Sequence, residues 1–321
     1  MNRALVIFGF VVHLLLTACQ AETTLRPAKT IDVGGVVRGS VVLGKSDESR
    51  LVCCTARDGR TKLSEWPVGK SEPPAVKYED EVQHISFDAS ETTGVLVSLK
   101  HGITLVDMKT WKRIARYDDH DVTVVCVDAK SDTVLVAYES TKVGKLDVET
   151  GEIQQLSNCI PPTPVRGMKF SDDGSRLVIG CERGAVVSYN LKDRSQVLVS
   201  KERSNEWTDD VYCFSNLESS DHLIWARFGG AVYAKHVATE EPRMMAEKAG
   251  FSHAMVQVPQ LKAVAVSGGH DIRILQSDTG KQLANCEGDG SMMWSLAIAG
   301  SQLFGGTWRG NLLVWNLEDL K

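Results

Sequence analysis

The residues that could do chemistry in this chain are scattered. His84, Asp210 and His253 are the groups best suited to general acid–base or ligand work, and they lie far apart in sequence. They could form a site only if the fold gathered distant loops around one axis, where a hydrolase, lyase or quinone-linked reaction, or a small-ligand or metal site, could be built. Asp118-Asp119-His120-Asp121 has the residue types of a metal cluster. Divalent sites, however, need several oxygens converging from a suitably bent loop, so this stretch is read as a solvated connection and no metal or cofactor is expected. Three short-range motifs are missing: there is no Gly-x-Ser-x-Gly, no His-Glu-x-x-His and no Cys-x-x-Cys. Each of those chemistries needs its groups held at short spacing, so a non-catalytic role is the first expectation.

Composition narrows the class. With 321 residues, 43% apolar and 24% charged, and a formal net charge of −5, the chain is of globular type. Mild acidity argues against nucleic-acid binding, which needs a clustered basic face. Val supplies 37 of the residues, and a β-branched excess favours strands because a stiff side chain packs well on a pleated surface.

The first twenty residues read as an address. Arg3 is followed by an apolar run from Ala4 to Leu16 that is too short to span a bilayer, and Leu16-Thr17-Ala18-Cys19 closes it. That tetrapeptide resembles the lipobox of bacterial lipoproteins. The resemblance implies removal of residues 1–18 and lipid modification of Cys19, and so an extracytoplasmic chain whose membrane contact is the lipid anchor alone. Ordinary cleavage after Ala21, giving a secreted or periplasmic protein, is the alternative. Export implies an oxidising compartment. Cys53, Cys54, Cys126, Cys181 and Cys213 sit in strand-like runs and are expected in the core. Cys159 and Cys286 sit in loop-like stretches and could be exposed. The spacings show no disulfide framework.

Self-similarity organises the remainder. Ile103–Met108, Val143–Val148, Val186–Leu191 and Leu312–Leu317 are short apolar strands with a polar residue in fifth place. With weaker copies, the anchors are Glu65, Asp107, Asp147, Asn190, His236, Gln276 and Asn316, separated by 42, 40, 43, 46, 40 and 40 residues. Within a copy, Val165–Phe170, the turn Ser171–Ser175, Leu177–Cys181, the tight turn Glu182-Arg183-Gly184 and Val186 onward give three strands, and a fourth follows. Four strands in meander order are a propeller blade. The seventh copy ends at Asn316–Lys321 without a fourth strand, and Arg26–Val33 is unassigned, so that segment is expected to complete the last blade and close the ring.

The turn Phe170-Ser171-Asp172-Asp173-Gly174 and the pair Trp315-Asn316 resemble the WD40-type seven-bladed β-propeller, in the broad sense that includes YVTN and quinoprotein-like rings. No copy has a Trp-Asp pair and the opening Gly-His pair is absent, so the family's hydrogen-bonded tetrad is not carried over. The resemblance implies an all-β fold of seven four-stranded blades over residues 19–321 as one domain. It also implies a face that carries the loops leading into each inner strand together with the turns between second and third strands. Those turns bring Arg57, Lys100, Arg183, Arg227 and Arg309 to equivalent places, with Trp207, Trp294 and Trp308 among or beside them. Arg and aromatic side chains supply binding energy through forked hydrogen bonds and large apolar area. The expectation is a monomeric scaffold that docks a protein or peptide there.

Overall fold

The computed structural model describes residues 23–44, 49–70, 74–119, 121–171, 173–202, 206–216, 222–236, 241–247 and 250–320. They form seven meander sheets whose innermost strands are Val36–Leu43, Ser86–Ala89, Val122–Val127, Val165–Phe170, Val211–Asn216, Met255–Val258 and Met293–Ala299. These head blades 1 to 7. Each inner strand packs on the next, and Met293–Ala299 packs on Val36–Leu43, so the ring is shut. The expected seven-bladed all-β propeller is present.

Closure uses the N-terminal segment. Lys29–Asp32 runs antiparallel to Asn311–Asn316 as the outer strand of blade 7, in register Lys29↔Val314 to Asp32↔Asn311. Ala28 N–H donates to Val314 O at 2.7 Å and Val33 N–H to Gly310 O at 2.8 Å, extending the pairing at both ends. One element goes beyond expectation. Thr23–Leu25 adds a fifth, parallel strand to the outer edge of blade 6, beside Gln282–Cys286. The two pieces insert Ile31 and Leu25 into two separate apolar clusters.

The core lies between blades. One cluster joins Cys126 and Leu135 of blade 3 to Met168, Leu177 and Tyr189 of blade 4. Another joins Trp66 of blade 1 to Phe304 of blade 7, edge to face at 5.7 Å. Because both faces of a middle strand are covered, runs such as Val95-Leu96-Val97 are fully buried without alternation, which accounts for the valine excess. Blade contact is tightest where side chains are missing: a Cβ on Gly167 would strike the Tyr212 carbonyl, and one on Gly180 would strike Val211 O and the Phe214 ring.

The repeat anchors also have a cause. Asp107 Oδ1 accepts the N–H groups of Lys109 and Thr110 at 2.8 and 2.9 Å, Asp147 does the same for Glu149 and Thr150 at 2.9 Å, and Asn190 for Lys192 and Asp193 at 2.9 and 3.3 Å. The fifth-place polar residue is therefore an Asx cap on the turn into the fourth strand. Glu65, in a weak copy, instead pairs with Arg50 at 2.8 Å.

All seven described cysteines are buried and free. This corrects the expectation for two of them. Cys286 ends an outer strand that Thr23–Leu25 covers, and Cys159 packs among Val165, Tyr189 and their neighbours. Burial pushes the Cys159 and Cys286 thiols up to about 12, which keeps them protonated and unreactive.

Candidate functional site

Five of the seven inner strands share one irregularity. Register shifts between Val37 and Gly39, Val122 and Val124, Val165 and Gly167, Val211 and Cys213, and Met293 and Ser295 leave one extra residue in each. Those β-bulge residues are Arg38, Thr123, Arg166, Tyr212 and Trp294, and a bulge re-aims the side chain it inserts. Blade 6 has an equivalent, since the Ser267 hydroxyl oxygen accepts the N–H of both His253 and Ala254, at 2.9 and 3.0 Å, so two residues face one. Every one of these side chains is half-buried.

Four neighbouring members meet across blade boundaries. Tyr212 and His253 rings lie 5.8 Å apart, and His253 meets Trp294 edge-on at 3.7 Å. The Arg38 guanidinium lies 5.5 Å from the Trp294 ring centre and 5.4 Å from that of Trp308. The result is a continuous wall at the mouth of the propeller axis, from blade 5 through blades 6 and 7 to blade 1. Arg166 of blade 4 stands at the other end, paired with Glu182 and, at 3.5 Å, with Asp210. Burial, aided by the nearby Arg38 charge, pushes His253 down to about 3, so its imidazole is neutral at physiological pH.

An aromatic shelf continues outward from this wall. Phe228 touches His253 at 4.8 Å and Phe251 at 4.9 Å, and Trp207 stacks on Phe251 at 5.8 Å. Trp294 meets Trp308 at 5.5 Å. Trp207 is 62% exposed, Trp308 50% and Phe251 39%, an unusual amount of contiguous aromatic surface to leave in water.

The residues singled out from the sequence separate into two groups. Trp207, Trp294 and Trp308 join the wall and shelf, while Arg57, Lys100, Arg183 and Arg309 are exposed on turns between second and third strands. Arg183 reaches Glu202 at 3.6 Å, and its backbone N–H donates to Asp210 at 3.0 Å. Arg309 Nη1 donates to the Asp289 carbonyl at 3.2 Å. Arg227 is different from expectation. It is buried, bonded to Asp209 at 2.7 Å and stacked 4.5 Å from the Tyr233 ring, which makes it a blade-interior residue rather than a surface cation.

The three suspected channel residues do not converge. His253 belongs to the wall, and Asp210 is buried at its edge holding Arg166 and the Arg183 turn. His84 is fully buried, with its N–H donating to Thr61 at 3.0 Å and its Nε2 3.3 Å from Asp80. It precedes Ile85, which pairs with Val97 at the start of blade 2, and so points into the blade rather than the axis. In the acidic stretch, Asp119 accepts the Tyr138 hydroxyl at 3.0 Å, and His120 lies outside the described residues. Among the described residues, no three His, Cys, Asp or Glu side chains are grouped to hold a metal ion. On the opposite face, a polar cleft of about 380 Å³ between blades 3 and 4 is lined by Asp128, Lys145, Gln154 and Arg194.

Arg38, Tyr212, Phe228 and Phe251 were not expected as site residues. A signal existed for the first two: Val37-Arg38-Gly39, Val165-Arg166-Gly167, Val211-Tyr212-Cys213 and Met293-Trp294-Ser295 each place a long side chain between two residues that stay in the ladder.

Fold and site together define a closed seven-bladed β-propeller with an aromatic, arginine-flanked wall at one mouth of its axis. No known protein-family model matches the chain, and no curated protein matches it in sequence. Among solved structures it is similar to a chain in "Crystal Structure of Mitotic Checkpoint Complex", with a TM-score of 0.74 and 13% identity over 98% of this chain and 99% of that one. At that identity the likeness is one of fold, and function has to be argued from the site.

Proposed function

We propose that this chain is a non-catalytic docking scaffold that, as a monomer, binds a protein or peptide on the face bearing the wall, the shelf and the turn cations. The observation that carries the reading is the unbroken aromatic surface from Trp207 to Trp308, with Arg183 and Arg309 exposed on the same face. Such surfaces supply binding energy through aromatic and arginine anchors. The lack of Gly-x-Ser-x-Gly, His-Glu-x-x-His and Cys-x-x-Cys motifs and the inert, protonated Cys159 and Cys286 thiols support it further. Crosslinking in native membranes followed by partner identification tests it. Reversing Arg183 and Arg309 to Glu should reduce recovery of the crosslinked partner about tenfold, and unchanged recovery would sink the reading.

The scaffold works, on this proposal, outside the cytoplasm and tethered through a lipid on Cys19. The support is the sequence of residues 1–19, which lie outside the described residues. Labelled fatty acid should be incorporated by the parent chain and lost in Cys19→Ser. Equal labelling of both would remove the anchor.

A further inference from the structure

We infer that the wall is a carboxylate-binding pocket, and that the partner enters it with an Asp or Glu side chain set beside an apolar or aromatic residue. This deepens the docking reading and rests on it.

Arg38 carries the argument. It is half-buried, on the bulge of the blade 1 inner strand, with its guanidinium against Trp294 and Trp308. Among the described residues no carboxylate pairs with it, whereas the Arg166 charge at the other end of the wall has Glu182 and Asp210. A partly desolvated cation held by two indole faces and no anion is costly in a free protein and favourable once an anion arrives. The neighbouring groups point the same way. Arg38 Nε–H and Trp294 Nε1–H are both buried without an acceptor, and His253 Nε2 is buried without a partner. Arginine and indole N–H groups can only donate, so what completes them is an acceptor. An oxyanion meets both needs together, as a charge-assisted acceptor for Arg38 and an acceptor for the indole.

The shelf decides which oxyanion source fits. Trp308 borders Arg38 directly, and Phe251 and Trp207 continue the surface through Phe228 and His253. A free anion would leave that area wet. A peptide carboxylate followed or preceded by an apolar side chain covers it, which is the reason to commit to a peptide.

The test is to pan a random dodecapeptide library against the immobilised full chain, then resynthesise the enriched peptides and titrate them by fluorescence polarisation. Enriched peptides should share an Asp or Glu next to an apolar or aromatic residue. Changing that acid to its amide should weaken binding about tenfold or more, Arg38→Met should weaken it as much, and the two changes together should cost no more than either alone. The amide peptide on the unaltered chain decides the matter even if Arg38→Met folds poorly. Enriched peptides without a common acid, or binding indifferent to both changes, would overturn the carboxylate pocket. If such peptides still lost affinity in Trp207→Ala or in the Arg183, Arg309 double reversal, the broader docking reading would stand. Failure to enrich any peptide sensitive to either set would overturn both.

Discussion

Removal of residues 23–33 is expected to lower the melting temperature by about 10 °C or more and to drive the chain into oligomers. Two exposed sheet edges are created at once, because Lys29–Asp32 covers the third strand of blade 7 and Thr23–Leu25 covers the fourth strand of blade 6. The ladder and its extensions at Ala28 and Val33 are lost. So are two core side chains, Ile31 from the blade 7–blade 1 cluster and Leu25 from the blade 6–blade 7 cluster. Each buried aliphatic contributes about 1.5–3 kcal/mol, and each hydrogen bond about 1 kcal/mol. For a chain of this size, roughly 2–4 °C accompanies each kcal/mol. Circular dichroism melts with light scattering measure both effects, and a synthetic 23–33 peptide added in trans should restore part of the loss. A truncated chain that melts with the parent and stays monomeric would show that the ring closes without these strands.

The architecture was legible because its determinants are local and repeated. An Asx cap works only with Asp or Asn one strand-length after the tight turn, so Asp107, Asp147, Asn190 and Asn316 recur at nearly constant spacing and reveal the blades. Where another interaction took over, as at Glu65 with Arg50, the copy looked weak although the strand is intact. Even the missing fourth strand of blade 7 could be assigned by counting. The site was less legible for a geometric reason. A bulge adds one residue without altering the apolar or polar character of its neighbours, so the strand still reads as an alternating run while one side chain is turned toward the axis. Charge at a turn was a poor guide to exposure for the same kind of reason. Arg227 and Arg183 occupy equivalent turns, yet Arg227 has Asp209 and the Tyr233 ring to enter the blade with, and Arg183 does not. Thr23–Leu25 was invisible because three residues, two of them Thr, carry no pattern of their own.

Asp80→Ala is expected to destabilise the protein by about 3 kcal/mol. Asp80 ends the outer strand of blade 1 and is buried, and its carboxylate is a shared acceptor. Arg116 of blade 2 pairs with it, the Tyr78 hydroxyl donates to it at 3.0 Å and His84 Nε2 lies at 3.3 Å. Burial alone would raise its pKa, but the hydrogen bonds from Arg116, His84 and Tyr78 outweigh burial and hold it below the ordinary 3.8. His84 shifts the other way, because its own burial outweighs the pull of Asp80 and lowers its pKa. The contact at neutral pH is thus a neutral imidazole donating to a carboxylate, and the cation in the group is Arg116. Truncation to Ala strands three donors, of which His84 is fully buried and Tyr78 half-buried, and Arg116 recovers only part of its loss through its one-quarter exposure to water. Asp80→Asn keeps an acceptor and forfeits the charge, so it should cost about half as much. The depressed pKa fixes the sign of the pH dependence: stability from Asp80 is fully present above about pH 4 and is lost as pH falls through its folded value. Urea unfolding at pH 7 and pH 3 measures this directly, with the gap between parent and Asp80→Asn narrowing at the lower pH. A gap that stays constant, or an Asp80→Ala cost below about 1 kcal/mol, would mean that Arg116 and His84 find other partners and that the contact between blades 1 and 2 does not depend on this carboxylate.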